Sequence, residues 1–136
     1  MRAGLFVAAT LLLGGCAGHD FGFGGQDSGD DRVNIYPQNY KSEILAAMHA
    51  YSNDPTGIRD ATMSTPMLKS VGNSTRYIVC LRFNGKQDNG TYAGDKLIVA
   101  EFFAGRFNDF LDTNAAREPC AGVTLMPFPE LEQLTR

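Results

Sequence analysis

An amphipathic helix is the first element that the pattern of hydrophobic and polar residues predicts. Five apolar residues recur at spacings of one, three and four, which places them on one face of an α-helix: Tyr40, Ile44, Ala47, Met48 and Tyr51. The helix should end before Pro55, because proline disfavours helical geometry in the residue that precedes it. The remaining positions are expected to face away from the core: Lys41, Ser42, Glu43, Ala46 and Ala50.

A strong strand is predicted from Arg76 to Asn84, where apolar side chains alternate with period two. Its odd-numbered positions should face the core, so that Cys80 lies on the more open face. Gly72-Asn73-Ser74 is typical of a turn, and Ala104-Gly105 of a tight reversal between antiparallel strands. Four further strands are predicted at 58–65, 97–103, 106–112 and 123–126.

These elements predict one α+β domain over residues 32–136. One amphipathic helix would pack on an antiparallel sheet of three to five strands, followed by a short C-terminal helical turn through Leu131 and Leu134. That length suffices for a single core. Residues 16–31 differ, because five glycines and four aspartates indicate a disordered tether.

The chain opens with the pattern of a targeting segment. Arg2 supplies a positive charge, and residues 3–13 are an apolar run without charge or proline. Eleven residues are about half of the roughly 20 that a membrane-spanning helix needs. The pattern therefore favours a cleaved signal peptide over a permanent span.

Leu13-Gly14-Gly15-Cys16, at the end of that run, resembles the lipobox of bacterial lipoproteins. The resemblance implies that residues 1–15 are removed and that Cys16 carries fatty acyl groups such as palmitate, which anchor the chain to a membrane. Ala17 in place of Asp implies, for lipoproteins of enteric type, the outer membrane with the domain facing the periplasm. The alternatives are a plain secretory signal and a buried N-terminal helix.

Charge and cysteine count narrow the choice of partners. A formal net charge of −3 gives no basic face for nucleic acid. Three cysteines are an odd number, and lipid on Cys16 would leave Cys80 and Cys120 as a pair. In an oxidising periplasm they are expected to form a disulfide, although two inert buried thiols are the alternative.

Catalytic chemistry has little support in the sequence. It contains no nucleophile elbow, phosphate loop, zinc-ligand spacing or dinucleotide fingerprint, so we predict no catalytic residue, cofactor or metal. His49 is expected at the surface. Glu101 interrupts an apolar strand and is the candidate for carboxylate chemistry, but the simpler interpretation is that its side of the strand reaches solvent.

Arginines near the strongest strand are the candidate binding residues. Arg76 and Arg82 flank Cys80, and Arg59 and the loop containing Tyr92 are candidates for the same surface. Such a group would contact peptidoglycan carboxylates, another anionic ligand or an acidic partner protein. The alternative is that these arginines only confer solubility.

A second resemblance extends over the mature chain. Its residues are Asp54-Pro55-Thr56-Gly57-Ile58-Arg59, Val79-Cys80, Asn84 and Gly90-x-Tyr92-x-Gly94, which are similar to a pattern in small secreted bacterial domains. The region 36–136 also resembles small uncharacterised lipoproteins of Gram-negative bacteria. The resemblance implies fold and compartment but no activity. The leading hypothesis is thus a non-enzymatic envelope lipoprotein that acts by protein contact; the alternative is a module that binds peptidoglycan or another anionic envelope ligand.

Overall fold

The computed structural model describes residues 33–52 and 54–135, and the lipobox, signal peptide and tether lie outside them. The described residues form an α+β fold with three helices and six antiparallel strands. The helices in these ranges are too short or too polar to cross a membrane. The elements in chain order are α1 (Tyr40–Tyr51), β1 (Arg59–Met63), β2 (Met67–Val71), β3 (Ser74–Asn84), β4 (Lys96–Phe103), β5 (Arg106–Leu111), α2 (Thr113–Ala116), β6 (Met126–Pro127) and α3 (Pro129–Glu132).

α1 occupies the predicted position and packs on the sheet through one face. Ile44 and Met48 are fully buried, and Leu45 packs against the same core. The prediction for Glu43 was wrong. Instead of facing away, its carboxylate accepts a hydrogen bond of 2.6 Å from the backbone N–H of Phe107 in β5.

The sheet has the strand order β5-β4-β3-β1-β6, and β2 pairs with β3 alone. β1 and β2 both run antiparallel to β3, one along each half of it. Between them, the backbone N–H of Ser64 donates to the carbonyl of Cys80 and its hydroxyl oxygen accepts from the Cys80 N–H, each at 2.9 Å. β1 and β2 therefore act as one strand with an interruption that Ser64 bridges.

The sheet has more strands than the three to five expected, because the alternating pattern does not reveal β2. In β2 the apolar Leu68 is exposed, while the polar Lys69 lies on the half-buried side. The short helix α2 was not predicted either. Four residues leave no periodicity, and α2 begins where the Asp112 carboxylate accepts from the N–H groups of Asn114 and Ala115.

Apolar side chains form two cores, one on each face of the sheet. The larger core lies under α1 and contains the odd-numbered residues of β3, as predicted. The smaller core lies on the other face, where a disulfide joins Cys80 to Cys120. Cys80 lies on this second face, as expected, and is fully buried because the segment carrying Cys120 covers it. The smaller core consists of Ile78, Cys80, Val99, Ala116 and Cys120.

The two ends of the sheet differ in what surrounds them. One end carries the predicted reversal between β4 and β5, where Ala104 and Gly105 both have positive φ (49° and 77°), as a type I′ turn requires. The carbonyl of Val33 accepts a 2.8 Å hydrogen bond from the Ala104 N–H at this end. The other end carries the loop between β3 and β4 and the start of β1.

Candidate functional site

The loop between β3 and β4 is folded as a small hairpin. Lys86 and Tyr92 form an antiparallel bridge. The N–H of Gln87 donates to the carbonyl of Thr91 at 2.8 Å, and Gly90, with φ of 78°, closes the turn. The backbone pairing between the two arms of this hairpin therefore fixes the position of Tyr92 relative to Lys86.

Tyr92 ties this hairpin to the segment that precedes β1. Its hydroxyl donates a 2.6 Å hydrogen bond to the carbonyl of Gly57. Gly57 has φ of +70°, and a Cβ at this position would lie 2.9 Å from Lys86 Nζ and 3.1 Å from the Tyr92 hydroxyl. Glycine is needed here both for its backbone conformation and for the close approach of the two side chains.

Two cations lie beside Tyr92, and a third lies on the neighbouring stretch of β3. The guanidinium of Arg59 stacks 4.0 Å from the centroid of the Tyr92 ring, and the Lys86 ammonium lies next to Gly57. Arg59 pairs with Asn84 in the sheet, which places the exposed Arg82 two residues along β3 on the same face. Among the ion pairs between described residues, none involves these three cations. We call Gly57, Arg59, Arg82, Lys86 and Tyr92 the Tyr92 corner.

The structure separates Arg76 from the other candidate binding residues. Six residues of extended strand put it about 20 Å from Arg82. Its guanidinium Nε lies 2.9 Å from a Glu101 carboxylate oxygen and packs on the Phe103 ring at 4.8 Å. The solvent-facing interpretation of Glu101 was therefore wrong, since its side chain is 12% exposed and paired with Arg76.

Several residues of the second resemblance meet at this corner, whereas Val79 and Cys80 lie in the middle of β3 and belong to the two cores. Gly57 contacts Tyr92, Arg59 pairs with Asn84, and the Asn84 side chain accepts a 3.3 Å hydrogen bond from the Gly94 N–H. Sequence reasoning missed Lys86. The signal that would have found it is the Asn89-Gly90 turn pair, since a hairpin centred on Asn89 brings Lys86 opposite Tyr92.

A groove between α1 and β5 is a second surface feature. Its volume is about 840 Å³, and small alanine side chains of α1 leave it open opposite Phe107 and Phe110. At one end, Glu43 and Arg106 form an ion pair of 2.8 Å. Ala46 and Ala50 are exposed, in agreement with the expectation that they face away from the core, and they line this groove together with Ala47 and Tyr51.

The chemistry that these features offer is binding. Within 33–52 and 54–135, His, Cys, Asp and Glu side chains do not gather in a group of three that would hold a metal ion. His49 is exposed on α1, as expected. Guanidinium and ammonium groups around an aromatic ring suit a carboxylate or phosphate, whereas the alanine-lined groove suits an apolar side chain.

Comparison of the chain with protein-family models, with curated proteins and with solved structures finds no match. The function is therefore inferred from the residues of the chain itself. Those residues offer one sequence signal at the N-terminus, one cationic corner and one apolar groove.

Proposed function

We propose that this chain is a lipid-anchored protein of the bacterial cell envelope that acts by contact with a partner protein and not as an enzyme. The observation that carries the proposal is Leu13-Gly14-Gly15-Cys16 at the end of an uncharged apolar run. Its resemblance to a lipobox implies removal of residues 1–15 and acylation of Cys16. Two or more acyl chains hold a protein stably on a membrane, here the periplasmic side of the outer membrane.

The disulfide supports this proposal. Because Cys80 and Cys120 are joined to each other, Cys16 is the cysteine left over from an odd number. Structural disulfides persist in oxidising compartments such as the periplasm. The cysteine pairing thus fits both the compartment and the separate role of Cys16.

The groove between α1 and β5 is the surface that best suits a protein partner. Its alanine floor leaves room for an inserted apolar side chain, and Phe107 and Phe110 provide aromatic contact area. Arg106 and Asp109 add charges of both signs at its edge. An apolar pocket with a polar rim is the arrangement in which a few buried side chains supply most of the binding energy.

The anchor is tested by mass spectrometry of the mature chain and by labelling with a radioactive fatty acid. We expect a mature N-terminus at Cys16 that carries acyl chains, and Cys16→Ser should abolish the label and release the chain into the soluble fraction. A mature chain that begins at another residue, or an unacylated Cys16, contradicts the proposal.

Protein contact is tested by site-specific photocrosslinking in intact cells. A photoreactive residue at Ala50, in the groove, should give a discrete adduct with another envelope protein. The matched control is His49, the neighbouring exposed residue that does not line the groove. Identical adduct patterns from both positions, or none from either, would count against this contact surface.

The second candidate function is binding of peptidoglycan or another anionic envelope ligand at the Tyr92 corner. It is favoured by Arg59, Arg82 and Lys86, which form no ion pair within the described ranges. We expect Arg59→Ala combined with Lys86→Ala to reduce co-sedimentation with isolated sacculi, and Lys41→Ala, a change at a remote exposed lysine, to leave it unchanged. Unaltered co-sedimentation of the double variant would end this hypothesis.

A further inference from the structure

The exposed apolar side chains of the domain are concentrated at one end of the sheet. Six large hydrophobic residues in the described ranges are substantially exposed, and four of them lie at the end that carries Val33 and the β4–β5 turn. The other two lie elsewhere, since Tyr51 ends α1 and Met126 belongs to the edge strand β6. We call the four the apolar end: Ile35 (52% exposed), Tyr36 (40%), Leu68 (47%) and Phe103 (43%).

The four side chains are fixed at that end by the fold. A Cβ on Gly105 would lie 3.1 Å from Ile35, so that Ile35 sits directly on the β4–β5 turn. The Tyr36 ring packs edge-on against Tyr77 at 5.4 Å, and Tyr77 is the cross-strand partner of Leu68. Phe103 immediately precedes the turn, on the opposite face of the sheet from Leu68. The apolar end therefore presents side chains from both faces.

We infer that the apolar end docks on the surface of the bilayer, an inference that rests on the proposed lipid anchor. The described chain begins at Val33, whose carbonyl is bonded to the turn residue Ala104. Cys16 lies seventeen residues before Val33, at most about 60 Å of extended chain. An anchor at Cys16 is therefore connected to the described part of the chain at this end.

The composition of the apolar end matches the interfacial region of a bilayer. Tyrosine and other aromatic rings are favoured at the level of the headgroups, with aliphatic side chains just below. Lys69, the cross-strand partner of Arg76, has no ion pair among the described residues and can face anionic headgroups. Arg76 itself is paired with Glu101 and adds little charge.

Docking in this way orients the whole domain. β3 has eleven residues and extends from the apolar end towards the Tyr92 corner, a length of about 36 Å. The corner is then directed away from the lipid, towards the periplasm. The same orientation leaves the groove between α1 and β5 at the side of the molecule, accessible to a protein partner.

Tryptophan fluorescence tests the inference, since the sequence contains no Trp. Two variants of the full lipidated chain each carry a single Trp: Phe103→Trp at the apolar end, and Ala93→Trp at an exposed residue of the opposite end. Each variant is reconstituted in vesicles of phosphatidylethanolamine and phosphatidylglycerol whose acyl chains are brominated and quench nearby Trp. We expect Phe103→Trp to lose most of its emission and to shift to shorter wavelength, and Ala93→Trp to keep both unchanged.

Vesicle flotation of the same samples separates the two proposals. If the chain floats but neither Trp is quenched, or both are quenched equally, the docking is overturned and the anchor stands. If the chain does not float, both are overturned. Concentration-dependent dimers in detergent without quenching would assign the apolar end to a second copy of the chain instead. Met126→Trp, at an exposed apolar residue away from this end, serves as a matched control and should stay unquenched.

Discussion

The hydroxyl of Ser64 takes the place of a backbone group at the interruption between β1 and β2. Ser64 is 1% exposed, and its hydroxyl oxygen accepts a hydrogen bond from the backbone N–H of Cys80. Leaving a buried N–H without a partner lowers the free energy of unfolding by more than the net contribution of one hydrogen bond. Ser64 therefore completes the hydrogen bonding of β3 at the centre of the sheet, although its sequence context is typical of a loop.

Replacing Ser64 by Ala should destabilise the domain. The variant retains the backbone bond from residue 64 to the Cys80 carbonyl but leaves the Cys80 N–H unpaired, at a cost of about 1–3 kcal/mol in the free energy of unfolding. Urea denaturation followed by circular dichroism measures the change. Ser70→Ala, at an exposed position in β2, is the matched control and should have little effect. Equal midpoints for the two variants would show that the Ser64 hydroxyl is dispensable.

Ala104 occupies a backbone conformation that disfavours alanine. Its φ of 49° lies in the left-handed region, which asparagine tolerates better, and Asn-Gly is the preferred pair for a type I′ turn. Ala104→Asn should therefore raise the free energy of unfolding by roughly 0.5–1 kcal/mol. Thermal melting monitored by circular dichroism reports the gain. Ala104→Val should lower stability, because a β-branched side chain is strained there; the opposite order would contradict the turn assignment.

At the scale of elements, the sequence predicts a helix or strand when its buried apolar residues recur with the period of that element. α1 and β3 bury alternate or helically spaced apolar residues, and both were located correctly. β2 was missed because it is an edge strand with a mixed pattern: Met67 and Val71 pack half-buried against the smaller core, but the polar Lys69 lies between them and the apolar Leu68 is exposed. Local pattern cannot show such a strand, since its exposure depends on which neighbours the fold provides.

The candidate site was also predictable only in part, namely where it depends on the local pattern of a single strand. Alternation along β3 correctly places Arg76 and Arg82 on one face, but not the ion pair that removes Arg76 from the site. That pair depends on the register of β4, which sets Glu101 opposite Ile78. The contact between Arg59 and Tyr92 likewise joins residues that are far apart in the chain, and only the folded sheet brings them together.

The packing of α1 on the edge of the sheet is a further consequence of long-range contacts. β5 is an edge strand, and unpaired N–H groups on such a strand favour association with other chains. One of these N–H groups, that of Phe107, donates a hydrogen bond to the Glu43 carboxylate. The Glu43 side chain is 15% exposed. α1 thus protects the edge as well as covering the core.

Glu43→Ala should weaken the contact between α1 and β5. The variant leaves the Phe107 N–H without its protein acceptor, so that we expect a loss of roughly 1–2 kcal/mol in the free energy of unfolding and faster hydrogen exchange at Phe107. Glu43→Gln, which keeps an acceptor oxygen, should lose less. Glu130→Ala removes the longer 3.8 Å pair with Lys41 on the surface and serves as control. Similar losses for Glu43→Ala and Glu130→Ala would refute this role.

At the scale of the whole molecule, the two cores differ in what holds them. The core under α1 is large and contains aromatic side chains from several elements, so that packing alone can maintain it. The core on the opposite face has five buried residues, two of which are the disulfide cysteines. A long segment after β5 must be held across this face, and the disulfide is the covalent link that keeps it there.

Replacing both cysteines, Cys80→Ala with Cys120→Ala, should affect the two cores unequally. The sequence separation is 40 residues, for which the chain-entropy model gives a loss of about 4 kcal/mol in the free energy of unfolding. Amide hydrogen exchange should show lost protection over α2 and the residues up to β6 at low denaturant, while α1 and β4 stay protected until global unfolding. Ala121→Ser, an exposed change next to Cys120, keeps the disulfide and should leave both cores protected. Retention of that protection in the double variant would mean that packing, and not the covalent link, holds the segment on the sheet.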